Sequence, residues 1–102
     1  MSKSPTISTH VLDTARGEPA GSVRVELYRG DDLLSEQRTD GDGRIADLVG
    51  GALEPGRYRL VFHPPSPFFV RVELELAVDD AARHYHVPLL VSPYSCTSYR
   101  GS

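Results

Sequence analysis

The sequence predicts an all-β fold, an antiparallel β-sandwich of seven to eight short strands. Three observations predict it. Apolar and polar residues alternate with period two in several segments, most cleanly where Val23, Val25 and Leu27 oppose Arg24, Glu26 and Tyr28. Turn signals made of Gly, Pro and Asp recur about every ten residues, the spacing of a sandwich. No window carries an apolar stripe at the helical period of 3.6 residues.

Residues 6–13, TISTHVLD, combine Ile7, Val11 and Leu12 with β-branched Thr6 and Thr9 and read as the first strand. Arg16 to Gly21 is a turn punctuated by Gly and Pro. Residues 22–29 are the alternating second strand, Gly30-Asp31-Asp32 turns the chain, and the more polar 33–39 suits a sheet edge. Asp40-Gly41-Asp42-Gly43 is the strongest turn signal, because both Asp-Gly pairs favour positive φ. A short strand at 44–48 follows, and Pro55-Gly56 turns into the alternating 57–63, RYRLVFH. Pro64, Pro65 and Pro67 break the chain, after which 68–78 alternates over its whole length. Asp79 to Ala82 leads into a last hairpin, in which Ser92-Pro93 separates 84–91 from 94–100.

A chain of 102 residues, 39% hydrophobic and 25% charged, is expected to form a single domain, 1–102, around one modest core. The net charge is −3 and the basic residues are scattered, which argues against a nucleic acid partner. No apolar run approaches the roughly 18 residues of a membrane span, so no membrane partner is expected. The start, MSKSPTIST, has no apolar signal region, and the one cysteine, Cys96, rules out an internal disulfide. These features predict a cytoplasmic protein.

Strand parity puts His84 and His86 on one face. With His10 they make a conceivable zinc set, but no cysteine or carboxylate stands at ligand spacing, and the expectation is neither metal nor cofactor. Asp40 and Asp42 lack the spacing of a calcium loop and read as turn formers. His63, just before two prolines, reads as a loop residue. Cys96 reads as a small packed side chain. On local pattern alone His10 is a structural or exposed histidine, and Arg44 a solvated charge.

The turn TDGDGRI and the later PGRYRLVF resemble the broad transthyretin-like group of sandwiches. The segments STHVLDTARGEPA and HYHVPLLVSPYSCTSYRGS, with Asp42-Gly43-Arg44, are more specific and resemble the 5-hydroxyisourate hydrolases, the enzyme branch of the transthyretin family. The similarity runs over nearly the whole chain. It implies a transthyretin/prealbumin-like sandwich, a homotetramer with active sites lining a channel between dimers, and 5-hydroxyisourate as the small-molecule substrate. The implied product is 2-oxo-4-hydroxy-4-carboxy-5-ureidoimidazoline, on the way from urate to allantoin.

By motif, the resemblance assigns catalysis to His10, Arg44, His86 and Ser102, and substrate binding to His10, Arg44, Tyr99 and Arg100. Opening a cyclic amide needs an activated water, a stabilised oxyanion and a proton for the leaving nitrogen. His10 and His86 would share the proton work, and Arg44 with the tail's donors would hold the purine oxygens. A cation beside two histidines would keep at least one of them neutral. Ser102 and its carboxylate would orient the water or a histidine, and His84 would be a supporting neighbour. Two departures stand out. The segment HPPSPFFVRVELEL is shorter than the family's, which implies a reduced or absent helix, and Cys96 replaces a common aromatic residue. The rival expectations are a transthyretin-like carrier of small ligands and a structural sandwich module.

Overall fold

The computed structural model describes residues 5–101. Ile7–Asp13 (β1), Glu18–Pro19 (β2), Arg24–Arg29 (β3), Asp32–Arg38 (β4), Arg44–Ile45 (β5), Gly56–His63 (β6), Val72–Val78 (β7), Tyr85–Ser92 (β8) and Ser95–Ser98 (β9) are the strands. They form two sheets. One has the order β2-β1-β8-β9, with β5 also on β1, and the other has the order β4-β3-β6-β7. No helix occurs among the described residues, hence none able to cross a membrane.

The alternating residues close the sandwich from both sides. Ile7, Val11, Leu89 and Val91 from the first sheet pack on Val25, Leu27, Leu60 and Phe62 from the second, all of them buried. Two buried tyrosines pin the loops beside their strands. Tyr58 donates to the Glu54 carbonyl at 2.7 Å, and Tyr85 to the Asp80 carbonyl at 3.0 Å. The polar strand β4 lies at a sheet edge as expected, and Cys96 packs on the core.

Several elements differ from the sequence expectation. β1 and β8 run parallel, so the sandwich is not wholly antiparallel. Within the expected turn at 16–21, Glu18–Pro19 pairs with β1. The expected strand at 44–48 stops at Ile45, because the Asp47 carboxylate accepts the Val49 and Gly50 N–H groups at 3.0 Å and bends the chain. The expected strand at 68–78 begins only at Val72. Ser66 Oγ accepts the Phe68 and Phe69 N–H groups at 3.1 and 2.9 Å, which takes them from the ladder. His63 is the last residue of β6, not a loop residue. Of the two Asp-Gly pairs, only Gly43 takes a positive φ, 75°.

Candidate active site

β1 sits between β8 and β5, and this placement assembles the site. Ile7 and Val11 are buried in the core, so by strand parity Ser8, itself buried, and the half-buried His10 lie on the opposite face. In the parallel register Ser8 lies opposite His86, and His10 opposite Pro88. On the other flank His10 pairs with Arg44.

Arg44 reaches that flank through the Asp40–Gly43 turn. Asp40 Oδ1 accepts the N–H groups of Asp42 and Arg44, each at 2.9 Å. The Gly43 carbonyl accepts the Val11 N–H at 2.7 Å. A Cβ at Gly43 would collide with the Val11 carbonyl oxygen, so only glycine lets the turn lie this close to β1.

Ser8, Arg44, Asp47, His84 and His86 line an open cavity of about 900 Å³. Ser8 Oγ is 2.8 Å from His86 Nδ1 and 2.8 Å from His84 Nε2. Burial holds the His86 imidazole below the usual histidine range, and the charges of Arg44, His10 and His84 push it further down. The Arg44 charge acts on His86 in the direction the sequence led us to expect, but burial is the larger cause. The Asp47 carboxylate is held low by the Gly50 N–H and the Thr6 hydroxyl, and the nearby His84 adds to the effect.

The chain's end divides. Gly101 donates its N–H to the His86 carbonyl at 2.7 Å and lies against the ring, where a Cβ would be 2.6 Å from Cδ2. Arg100 turns the other way, its guanidinium 4.7 Å from the centre of the buried Tyr85 ring. Tyr99 and Arg100 border a separate cavity of about 320 Å³ with Leu74, Leu76 and Val87. Thus His10, Arg44 and His86 come together, whereas Tyr99 and Arg100 do not join them within the chain. Ser102 lies outside the described residues. Among the described residues no three His, Cys, Asp or Glu side chains converge on a metal-binding arrangement.

Sequence reasoning missed Ser8 and Asp47. The period-two rule that pairs His84 with His86 also pairs Ser8 with His10, and that signal could have found Ser8. Asp47 had no local signal.

Residues 7–101 match the HIUase/Transthyretin family. The chain is 43% identical to 5-hydroxyisourate hydrolase 2 of Rhizobium meliloti (strain 1021), with 100% of both chains covered. The Klebsiella pneumoniae 5-hydroxyisourate hydrolase structure superposes with a TM-score of 0.87 at 34% identity, over 96% of this chain and 94% of that one. Sea bream transthyretin in complex with thyroxine superposes with a TM-score of 0.82 at 28% identity, over 93% of each chain.

Proposed function

The chain belongs to the HIUase/transthyretin family, and from that membership we propose that it hydrolyses 5-hydroxyisourate to 2-oxo-4-hydroxy-4-carboxy-5-ureidoimidazoline in urate degradation. The observation that carries the reading is the joint placement of His10, Arg44 and His86 by the two registers of β1. A carrier of apolar ligands would have no use for that polar set.

His86 is the general base. Its depressed pKa keeps the ring neutral and able to take a proton from water across the neutral range. Arg44, on the cavity wall, polarises the ring carbonyl and holds the oxyanion with its planar fork of donors. His10 shares the proton traffic, and Ser102 orients the water. Tyr99 and Arg100 bind substrate from a neighbouring subunit of a homotetramer. That assembly is supported by the strand orders, which leave β7 and β9 at sheet edges that a second copy would cover. The 102 residues act as one cytoplasmic hydrolase domain, with no cofactor.

The test is turnover. 5-Hydroxyisourate made in situ from urate with urate oxidase should decay well above its spontaneous rate when the untagged protein is added. His86→Ala should cost about 10²–10⁴-fold in kcat, the usual worth of a general base. The rate should hold on the acid side until the pH falls below the depressed His86 value. Decay at the spontaneous rate with folded protein would overturn the reading.

A further inference from the structure

Behind His86 lies a hydrogen-bonded chain of which water activation alone makes no use. Ser8 Oγ stands 2.8 Å from a ring nitrogen of each histidine, His86 Nδ1 and His84 Nε2. A hydroxyl has one proton to give and two lone pairs to accept with. It therefore donates to one ring while it accepts from the other. When Ser8 donates to His84 Nε2, His86 must donate from Nδ1, and the neutral His86 ring then keeps its lone pair on Nε2. The opposite polarity leaves the proton of His86 on Nε2. The two polarities are the two ends of a proton transfer.

We propose that Ser8 and His84 form a proton relay behind His86, a role that rests on His86 being the base. As His86 Nε2 takes a proton from the attacking water, its Nδ1 proton passes to Ser8 Oγ and the serine's own proton passes to His84 Nε2. The His86 ring is left neutral with its proton on Nε2, the serine hydroxyl is restored, and the positive charge sits on His84. Total charge and atoms are unchanged. The reverse shift makes His86 cationic again, ready to protonate the leaving nitrogen from Nε2.

The surroundings favour that direction. His86 is partly withdrawn from water and faces Arg44 from β5 and His10 from β1, both unfavourable to a charged ring. The uncharged Gly101 covers it. His84 is solvent-exposed and near Asp47, whose carboxylate is kept ionised by the Gly50 and Val49 N–H groups and the Thr6 hydroxyl. Ser8 and His84 act through His86 and are positioning residues.

The experiment compares Ser8→Ala, Ser8→Thr and His84→Gln with the wild-type chain, reading the pH profile of kcat/KM and the ¹⁵N shifts of the His86 ring. Wild-type His86 should carry its proton on Nδ1. Ser8→Ala should mix the tautomers, lower kcat about tenfold, and move the acid limb to lower pH, because the imidazolium loses an acceptor. His84→Gln should also slow turnover, because Ser8 loses the basic acceptor for its proton, and should leave the acid limb to His86 alone. Ser8→Thr keeps the hydroxyl and should recover most of the rate. An Nε2 proton on resting wild-type His86, or wild-type turnover in folded Ser8→Ala and His84→Gln, would overturn the relay alone. A wild type without turnover would remove the relay and the hydrolase reading together. The wild-type tautomer and His84→Gln decide the matter even where Ser8→Ala does not fold.

Discussion

The outward faces of the two sheets both carry arginine and histidine, and they treat them in opposite ways. On the four-stranded sheet the histidine and several of the arginines are paired with carboxylates. His63 Nε2 donates to Glu26 Oε1 at 2.6 Å, Tyr28 donates to Glu26 Oε2 at 2.9 Å, and Arg24 lies 3.4 Å from Glu36. Arg59 stands 3.7 Å from Glu73 and packs 4.5 Å over the Tyr28 ring. The His63 hydrogen bond, aided by Tyr28 and by the charges of His63 and Arg24, holds the Glu26 carboxyl below its ordinary value. On the five-stranded sheet, Arg44 forms no ion pair with a described carboxylate, and His86 is pushed down rather than held charged. A histidine beside a carboxylate completes a surface ladder. In a partly buried histidine beside cations the pKa is lowered, which favours the neutral ring that can accept a proton.

The comparison breaks most readily at Arg44. Arg44→Lys keeps a positive charge but loses the planar fork, and kcat should fall about 10²-fold, the scale of one lost oxyanion donor. A steady-state assay showing a mild loss would mean that Arg44 acts only through its field. Gly101→Ala comes next. The added Cβ, 2.6 Å from His86 Cδ2, must shift the ring or the tail, and turnover should drop about tenfold with little change in thermal stability. An unchanged rate would show that the docked tail does not set the ring's position.

The other face should answer in stability alone. Glu26→Gln should leave turnover untouched and destabilise the fold by about 1 kcal/mol at neutral pH, as one charge-assisted hydrogen bond is lost at a partly exposed site. The folded Glu26 pKa lies below its ordinary 4.5, so this contribution is present above pH 4.5. It disappears as the pH falls through the folded value. Denaturant titrations of both proteins should therefore converge in acid; a gap that stays constant with pH would show that Glu26 does not act through its charge. The smallest effect belongs to His63→Gln, expected to leave kcat within twofold of wild type, since a histidine on this face moves no substrate proton. A large loss there would erase the distinction between the faces.

The cleanest local patterns are legible in the amino-acid sequence. Val25 and Leu27 against Arg24, Glu26 and Tyr28 form the two faces of β3. The alternation of 68–78 misleads at its start, because a side chain, Ser66, satisfies backbone donors that a ladder would otherwise use. At the site, the resemblance carried by STHVLD, DGR and HYH points to His10, Arg44 and His86, whereas local pattern leaves His10 and Arg44 as ordinary surface residues.

The sequence by itself determined which side chains share a face: His84 with His86, Ser8 with His10, and glycine where the turn must press on β1. Those are rules of period and sterics, acting over a few residues. Only the tertiary structure decided that β1 and β8 run parallel, that Ser8 Oγ bridges two histidines 76 and 78 residues away, and that Arg100 leaves the face that Gly101 keeps. Register between distant strands is set by how two whole sheets bury their apolar faces together, and no local segment carries that information.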